Sequence, residues 1–170
     1  WQWGYLSCTG HCFDIGNTVR DALARFQASG NPFSGSADPM TAGNGSLMRL
    51  APVVLFSFHT PELLMGVTAD SSRTTHAAPE AIESCQLFAQ HLHNALQGID
   101  KTQLLDCVSM EWQEPGIRAL STGAFIRKSY DELKGSGYCI ESLEAALWCF
   151  FNTASFKEAV LAAANLGDDA

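Results

Sequence analysis

The sequence predicts an all-α protein, a compact helical bundle, on three observations. Apolar residues recur at helical spacing, most plainly at Val19, Ala22, Leu23 and Phe26 and at Ala81, Cys85, Phe88, Leu92 and Leu96. Helix start signals stand at Thr60-Pro61-Glu62 and at Ser155-Phe156-Lys157-Glu158. No hairpin signal and no sustained period-two alternation occurs anywhere in the 170 residues.

Residues 1–16 are aromatic and glycine-rich and lead into Phe13-Asp14-Ile15-Gly16-Asn17-Thr18. The first helix should be capped by Asn17 or Thr18 and stop at Gly30. Residues 31–41, with two prolines and several small polar residues, form a loop. The stretch from Ala42 to Pro52 follows and opens an apolar run that extends to Phe58. Pro52 lies early enough in that run to be tolerated near a helix start. The next helix, with Thr60 as cap, Pro61 first and Glu62 in the first turn, should reach about Asp70, leaving 71–76 as a connection. The longest helix spans 78–97, with Gly98 ending it. A shorter helix is expected around 102–110, with Glu114-Pro115-Gly116 as a break and another short helix at 129–133. Residues 141–151 read as a buried helix with Leu143, Ala146, Leu147 and Phe150 inward. The last helix, from Phe156 to about Leu166, is almost wholly Ala, Val and Leu, which places it at the centre of the bundle.

A length of 170 residues suits one domain or a large part of one, and 46% hydrophobic content supports a substantial core. Charged residues make up 16%, below the usual share of about 25%, so much of the surface is expected to be covered. A net charge of −8 argues against nucleic acid or an anionic membrane as partner. No stretch reaches the ~18 apolar residues of a membrane span, and no signal peptide opens the chain. Six cysteines without a CxxC pair, four of them in apolar helical patterns, read as reduced, buried thiols of a cytoplasmic protein. Cys8-Thr9-Gly10-His11-Cys12 lacks a second ligand pair at finger-like spacing and reads as incidental. The chain opens on Trp1 and stops at Ala170 after two aspartates, so both ends are expected to be cuts through something larger.

Four features could carry chemistry. Gly43-Asn44-Gly45-Ser46 combines two glycines with a potential cap, and N–H groups at the start of a following helix would suit an anion. On spacing alone the stronger reading is an ordinary loop-to-helix junction. Asp14, flanked by Phe13 and Ile15, is either a cap or a working carboxylate. His76 sits between a polar connection and the longest helix, where capping and surface roles compete with a functional one; His91 and His93 are assigned nothing. Asp168-Asp169 lies at a helix C-terminus, where acids oppose the macrodipole; a divalent cation would remove the conflict, and a fraying tail is the alternative.

As a set, four segments in order resemble the ADP-ribosylglycohydrolase family, including its dinitrogenase reductase-activating branch. They are Phe13 to Thr18, Gly43 to Pro52, Thr74-Thr75-His76-Ala77, and Tyr138 to Ala170 with its Leu143-Glu144-Ala145-Ala146-Leu147-Trp148 helix and closing Asn165-Leu166-Gly167-Asp168-Asp169. The resemblance implies the family's all-α bundle as a single partial domain over 1–170, lacking the N-terminal part and the extreme C-terminal part. It also implies two Mg²⁺ or Mn²⁺ ions and hydrolysis of the bond joining ADP-ribose to a protein side chain or small acceptor.

By the same resemblance Asp14 would be the catalytic carboxylate with Asn17 beside it. Gly43, Asn44, Gly45 and Ser46 would lie along the diphosphate and ribose, Met48 would line the pocket, and His76 would meet the nucleotide end. Asp169 would be a metal ligand, the first aspartate of an Asp-x-Asp-Thr segment whose remainder falls past Ala170. The family's Thr-Asp-Asp cluster is absent from these residues, and Ala42 stands where some members carry an aromatic. The expected partner is an ADP-ribosylated protein or small molecule, met by a cytoplasmic monomer, with little turnover from residues 1–170 alone. A catalytically inactive ADP-ribose-binding member and a plain helical interaction domain are the alternatives.

Overall fold

The structure, a computed structural model, describes residues 3–5, 7–108 and 110–169. Trp1 and Ala170, the two ends read as cuts, lie outside them. Eight α-helices form among the described residues: α1 Asn17–Ser29, α2 Gly45–Met48, α3 Ala51–Phe56, α4 Pro61–Arg73, α5 Pro79–Leu96, α6 Pro115–Ser121, α7 Cys139–Asn152 and α8 Phe156–Leu166. No strand forms among them; two isolated bridges pair Ser36 with His76 and Gly43 with Tyr138. The all-α expectation holds.

The centre of the bundle is α5, not α8. Helix α5 packs against α2, α3, α4, α6 and α7. It buries Ala81, Ser84, Cys85, Leu87, Ala89, His91 and His93, residues that point to several sides of the helix. Small side chains let neighbours approach closely all round. Helix α8 buries no residue completely. It lies on α7 and is tied there by the Tyr130 hydroxyl, which donates to the Ala162 carbonyl at 2.8 Å. Its Phe156 is 86% exposed and Val160 and Leu161 about half, so an apolar composition did not make it central. Apolarity states what a helix can bury; the neighbours decide what it does bury.

Four other expectations are corrected. Helix α4 runs on to Arg73 through the supposed connection. There the Arg73 guanidinium bonds Asp70 at 2.8 Å and the Ser72 hydroxyl bonds the His76 carbonyl at 2.8 Å, so its polar last turn is satisfied. Residues 101–107 form turns rather than a helix, because the Asp100 carboxylate takes both the N–H and the hydroxyl of Thr102 at 2.9 and 2.6 Å. Pro115 starts α6 instead of breaking a helix, since the Glu83 carboxylate of α5 accepts from the N–H groups of Gln113 and Glu114. In α7 Leu143 and Leu147 are buried as expected, but Cys139, Ala145 and Cys149 replace Ala146 and Phe150 on the inner face. All six cysteines are free, but only Cys85, Cys139 and Cys149 are buried; Cys8 and Cys107 are exposed and Cys12 is partly exposed.

The start of α8 is built as anticipated, with one variation. The Ser155 hydroxyl accepts from the Glu158 N–H at 3.2 Å, while the Glu158 carboxylate takes the N–H of Ala154 at 3.0 Å. Ser155→Ala is expected to cost about 1 kcal/mol in urea denaturation. An unchanged midpoint would mean that α8 frays independently of the bundle.

Candidate functional site

The glycine motif is held from three sides. Its backbone pairs with the segment before α7: the Asn44 N–H donates to the Gly137 carbonyl at 2.9 Å and the Cys139 N–H to the Ala42 carbonyl at 3.0 Å. Beneath it lies His76. A Cβ on Gly45 would stand 2.9 Å from the His76 Cε1, and one on Gly43 would stand 3.4 Å from Nε2, so the imidazole fills the space that the missing side chains leave. The third side is a buried polar chain. The Cys85 thiol donates to the Ser46 hydroxyl at 3.3 Å, and the Ser46 and Ser72 hydroxyls are 3.0 Å apart. Because the Ser72 proton goes to the His76 carbonyl, the bond between the two hydroxyls runs from Ser46 to Ser72. Burial pushes the Cys85 thiol pKa up, which keeps it protonated and able to donate.

His76 is 2% exposed, which rules out the surface reading. Its Nδ1 lies 2.8 Å from the Thr75 hydroxyl. Burial, reinforced by the nearby Arg49 guanidinium, lowers its pKa to about 4, so the ring is neutral at pH 7. Arg49 itself reaches back to the Ser71 carbonyl and the Thr74 hydroxyl at 2.7 and 3.0 Å, which anchors the end of α2 to α4.

From the far end of the chain Asp169 arrives at the same loop. Its N–H donates to the Gly135 carbonyl at 2.7 Å, and its Oδ2 accepts from Asn44 Nδ2 at 3.0 Å. These two bonds tie Asp169 to the loop instead of leaving it as a free tail. Gly167 and Asp168, with φ of 74° and 56°, supply the left-handed turn that leaves α8 and returns the chain.

The structure therefore brings Gly43, Asn44, Gly45, Ser46, His76 and Asp169 together. Asp14 and Asn17 are exposed. Asp14 holds φ of 51° and does not cap α1, whose cap is Gly16; Asn17 is the first helical residue and accepts from Arg20. Their neighbour Thr18 does line a cleft of about 510 Å³ with Met40, Gly43, Glu80, Gly137 and Tyr138, in the size range of small-molecule sites. Met48 is 79% exposed. Sequence reasoning missed Gly137, Tyr138, Ser142, Ser72 and Cys85. Only the paired glycines Gly135 and Gly137, just after the short helix expected at 129–133, carried a local signal.

The glycine loop keeps a reduced capacity to hold an anion. Helix α2 is one turn long, so its dipole is slight, but that turn has no internal acceptor for the N–H groups of Gly45 and Ser46. Glu80 in the cleft suits hydroxyl-bearing ligands better than bare phosphate. Among the described residues no three His, Cys, Asp or Glu side chains come together as a metal could use, the Cys8–Cys12 run included. Asp169 as a lone carboxylate does not fit a two-ion centre by itself.

The helical fold and the glycine loop joined to Asp169 are shared with a known class of proteins, as comparison shows. The ADP-ribosylglycohydrolase family profile matches residues 1–170. The chain is 42% identical over 98% of its length to an ADP-ribosylarginine hydrolase Tri1 of Pseudomonas putida, covering 45% of that protein. It is 37% identical over 98% of its length to the Tri1 of Serratia proteamaculans, again covering 45%. A dinitrogen reductase ADP-ribosyl glycohydrolase of Rhodospirillum rubrum is 24% identical over 92% of the chain and 50% of that protein. Among solved structures, an ADP-ribosylglycohydrolase-related protein complex aligns with a TM-score of 0.78 at 38% identity, over 91% of this chain and 53% of that one. The chain belongs to the ADP-ribosylglycohydrolase family. It spans about half the length of the relatives it matches. Among the described residues no helix is long and apolar enough to cross a membrane.

Proposed function

We propose that the protein hydrolyses the bond between ADP-ribose and a modified side chain, with arginine as the acceptor, and that these residues form part of its ADP-ribose site. The observation that carries the reading is the meeting of Asp169 with the Gly43–Ser46 loop at 3.0 Å, in a chain that matches ADP-ribosylarginine hydrolases over 98% of its length. The N–H groups of Gly45 and Ser46 would bind the diphosphate. His76 would support the loop from below rather than touch the nucleotide. Asp14 and Asn17, close in sequence to Thr18 at the cleft, would work on the scissile side. Met48 would line the outer wall of the bound ligand. Dependence on Mg²⁺ or Mn²⁺ is part of the proposal, with Asp169 as one ligand and the others outside these residues.

A binding-only member is the second reading, favoured by the lack of an acidic cluster among the described residues. Two measurements separate the readings. Calorimetry with ADP-ribose should give saturable binding; no binding would leave a plain helical domain. Release of ADP-ribose from an ADP-ribosylarginine protein should require Mg²⁺ or Mn²⁺ and stop with EDTA. Binding without release under any metal condition would make the protein a reader rather than a hydrolase.

A further inference from the structure

Asn44 stands in the middle of the loop assigned above to the ligand, yet its side chain is already spoken for. It is 8% exposed, and its Nδ2 lies 3.0 Å from Asp169 Oδ2 and 3.3 Å from Ser142 Oγ. An amide nitrogen has two hydrogens, and the two acceptors use both. The orientation follows from charge: turning the amide over would set its carbonyl oxygen against a carboxylate. The Asp169 carboxylate is in turn confined. Its own N–H is bound to Gly135, and Gly137 leaves the room it occupies, since a Cβ there would stand 3.0 Å from Oδ2. The Asn44 N–H closes the figure on the Gly137 carbonyl. Three chain segments separated by up to 125 residues thus meet at one amide.

We infer that Asn44 is a positioning residue: its side chain does not read ADP-ribose but holds the Asp169 carboxylate in register with the Gly43–Ser46 loop, with Ser142 setting the angle of the amide. Oδ2 is engaged by Asn44, so Oδ1 is the oxygen left to face the site. The inference rests on the ADP-ribose reading for what the carboxylate meets, and on the geometry alone for the clasp.

The test is a double-mutant cycle of Asn44→Ala and Asp169→Ala, read both as ADP-ribose affinity by calorimetry and as the thermal midpoint. Asn44→Ala should weaken ADP-ribose about tenfold in the parent, as expected for losing a charge-assisted bond. It should weaken it less than about twofold when Asp169 is already alanine. An equal loss in both backgrounds would show Asn44 acting on the ligand directly and would overturn the inference. So would a lowered midpoint with unchanged affinity, the mark of a merely structural contact. Should the parent bind no ADP-ribose, the functional reading fails, and the midpoints alone judge the clasp: non-additive losses support it and additive ones overturn it. Ser142→Ala, which leaves both partners in place, guards against misfolding of the larger changes and should weaken ADP-ribose about threefold. The exchange Asn44→Asp with Asp169→Asn restores a bond of reversed polarity. It should recover the midpoint lost by Asn44→Asp alone but not the affinity, because the carboxylate has moved; recovery of both would overturn the inference.

Discussion

Acidification from pH 7.5 to pH 5 is expected to remove about 4 kcal/mol of folding stability through two buried histidines. His76 and His91 are 2% and 5% exposed, and burial lowers the pKa of each to about 4, from an ordinary value of 6.5. The sign follows from proton counting. Between pH 6.5 and 4 the unfolded chain binds protons at both residues while the folded chain does not, so stability rises with pH across that window. It is complete above about 6.5 and falls as the pH drops toward 4. At pH 5 each histidine accounts for about 2 kcal/mol, against a usual total of about 5–15 kcal/mol. Urea denaturation at a series of pH values measures it. A flat profile from pH 7.5 to 5 would show that the imidazoles are not held neutral. His91→Leu isolates half of the effect: both His91 ring nitrogens are buried without a partner, so leucine should be neutral or stabilising at pH 7.5 and should flatten the profile.

Gly35→Ala is expected to destabilise the fold by about 3 kcal/mol, a fall in Tm of roughly 6–12 °C for a chain of this size. A Cβ at residue 35 would stand 2.7 Å from the Arg73 carbonyl oxygen and 2.8 Å from the backbone nitrogens of His76 and Ala77. All three are main-chain atoms, so no rotamer change relieves the contact. The close approach exists because Gly35 donates to Arg73 and Ala77 donates to Ser36, both at 2.9 Å, which fastens the loop after α1 alongside His76. On the proposed function the loss should extend to ADP-ribose binding, since His76 supports the glycine motif. Gly66→Ala is the matched control: that position lies inside α4 with open space at its Cβ, and alanine there should stabilise by up to about 1 kcal/mol. Equal midpoints for the two variants would show that the loop gives way at Gly35.

The helices were legible where one residue's chemistry acts within a turn or two. Pro61 and Glu62 start α4, Gly30 and Gly98 end α1 and α5 with φ of 70° and 83°, and Ser155 caps α8. Errors arose where the deciding partner is remote. Pro115 looks like a breaker until Glu83 is seen holding the N–H groups before it. Ser71 to Arg73 look like a connection until Ser72 is seen bonded to Ser46 and His76. The site divides the same way. Gly43-Asn44-Gly45 was recognisable because backbone freedom is a local property. Ser142 was not, because a serine on a helix face carries no mark of the amide 98 residues away that it receives.

By itself, then, the sequence determined the all-α class, most helix ends and the family, and it marked the glycine loop, since each rests on local spacing or on motifs in order. The tertiary structure decided which helix is central, that His76 supports the loop from beneath, and that Asp169 joins Asn44. Those outcomes depend on which surfaces and polar groups find partners across the bundle, and no stretch of chain contains its own partner.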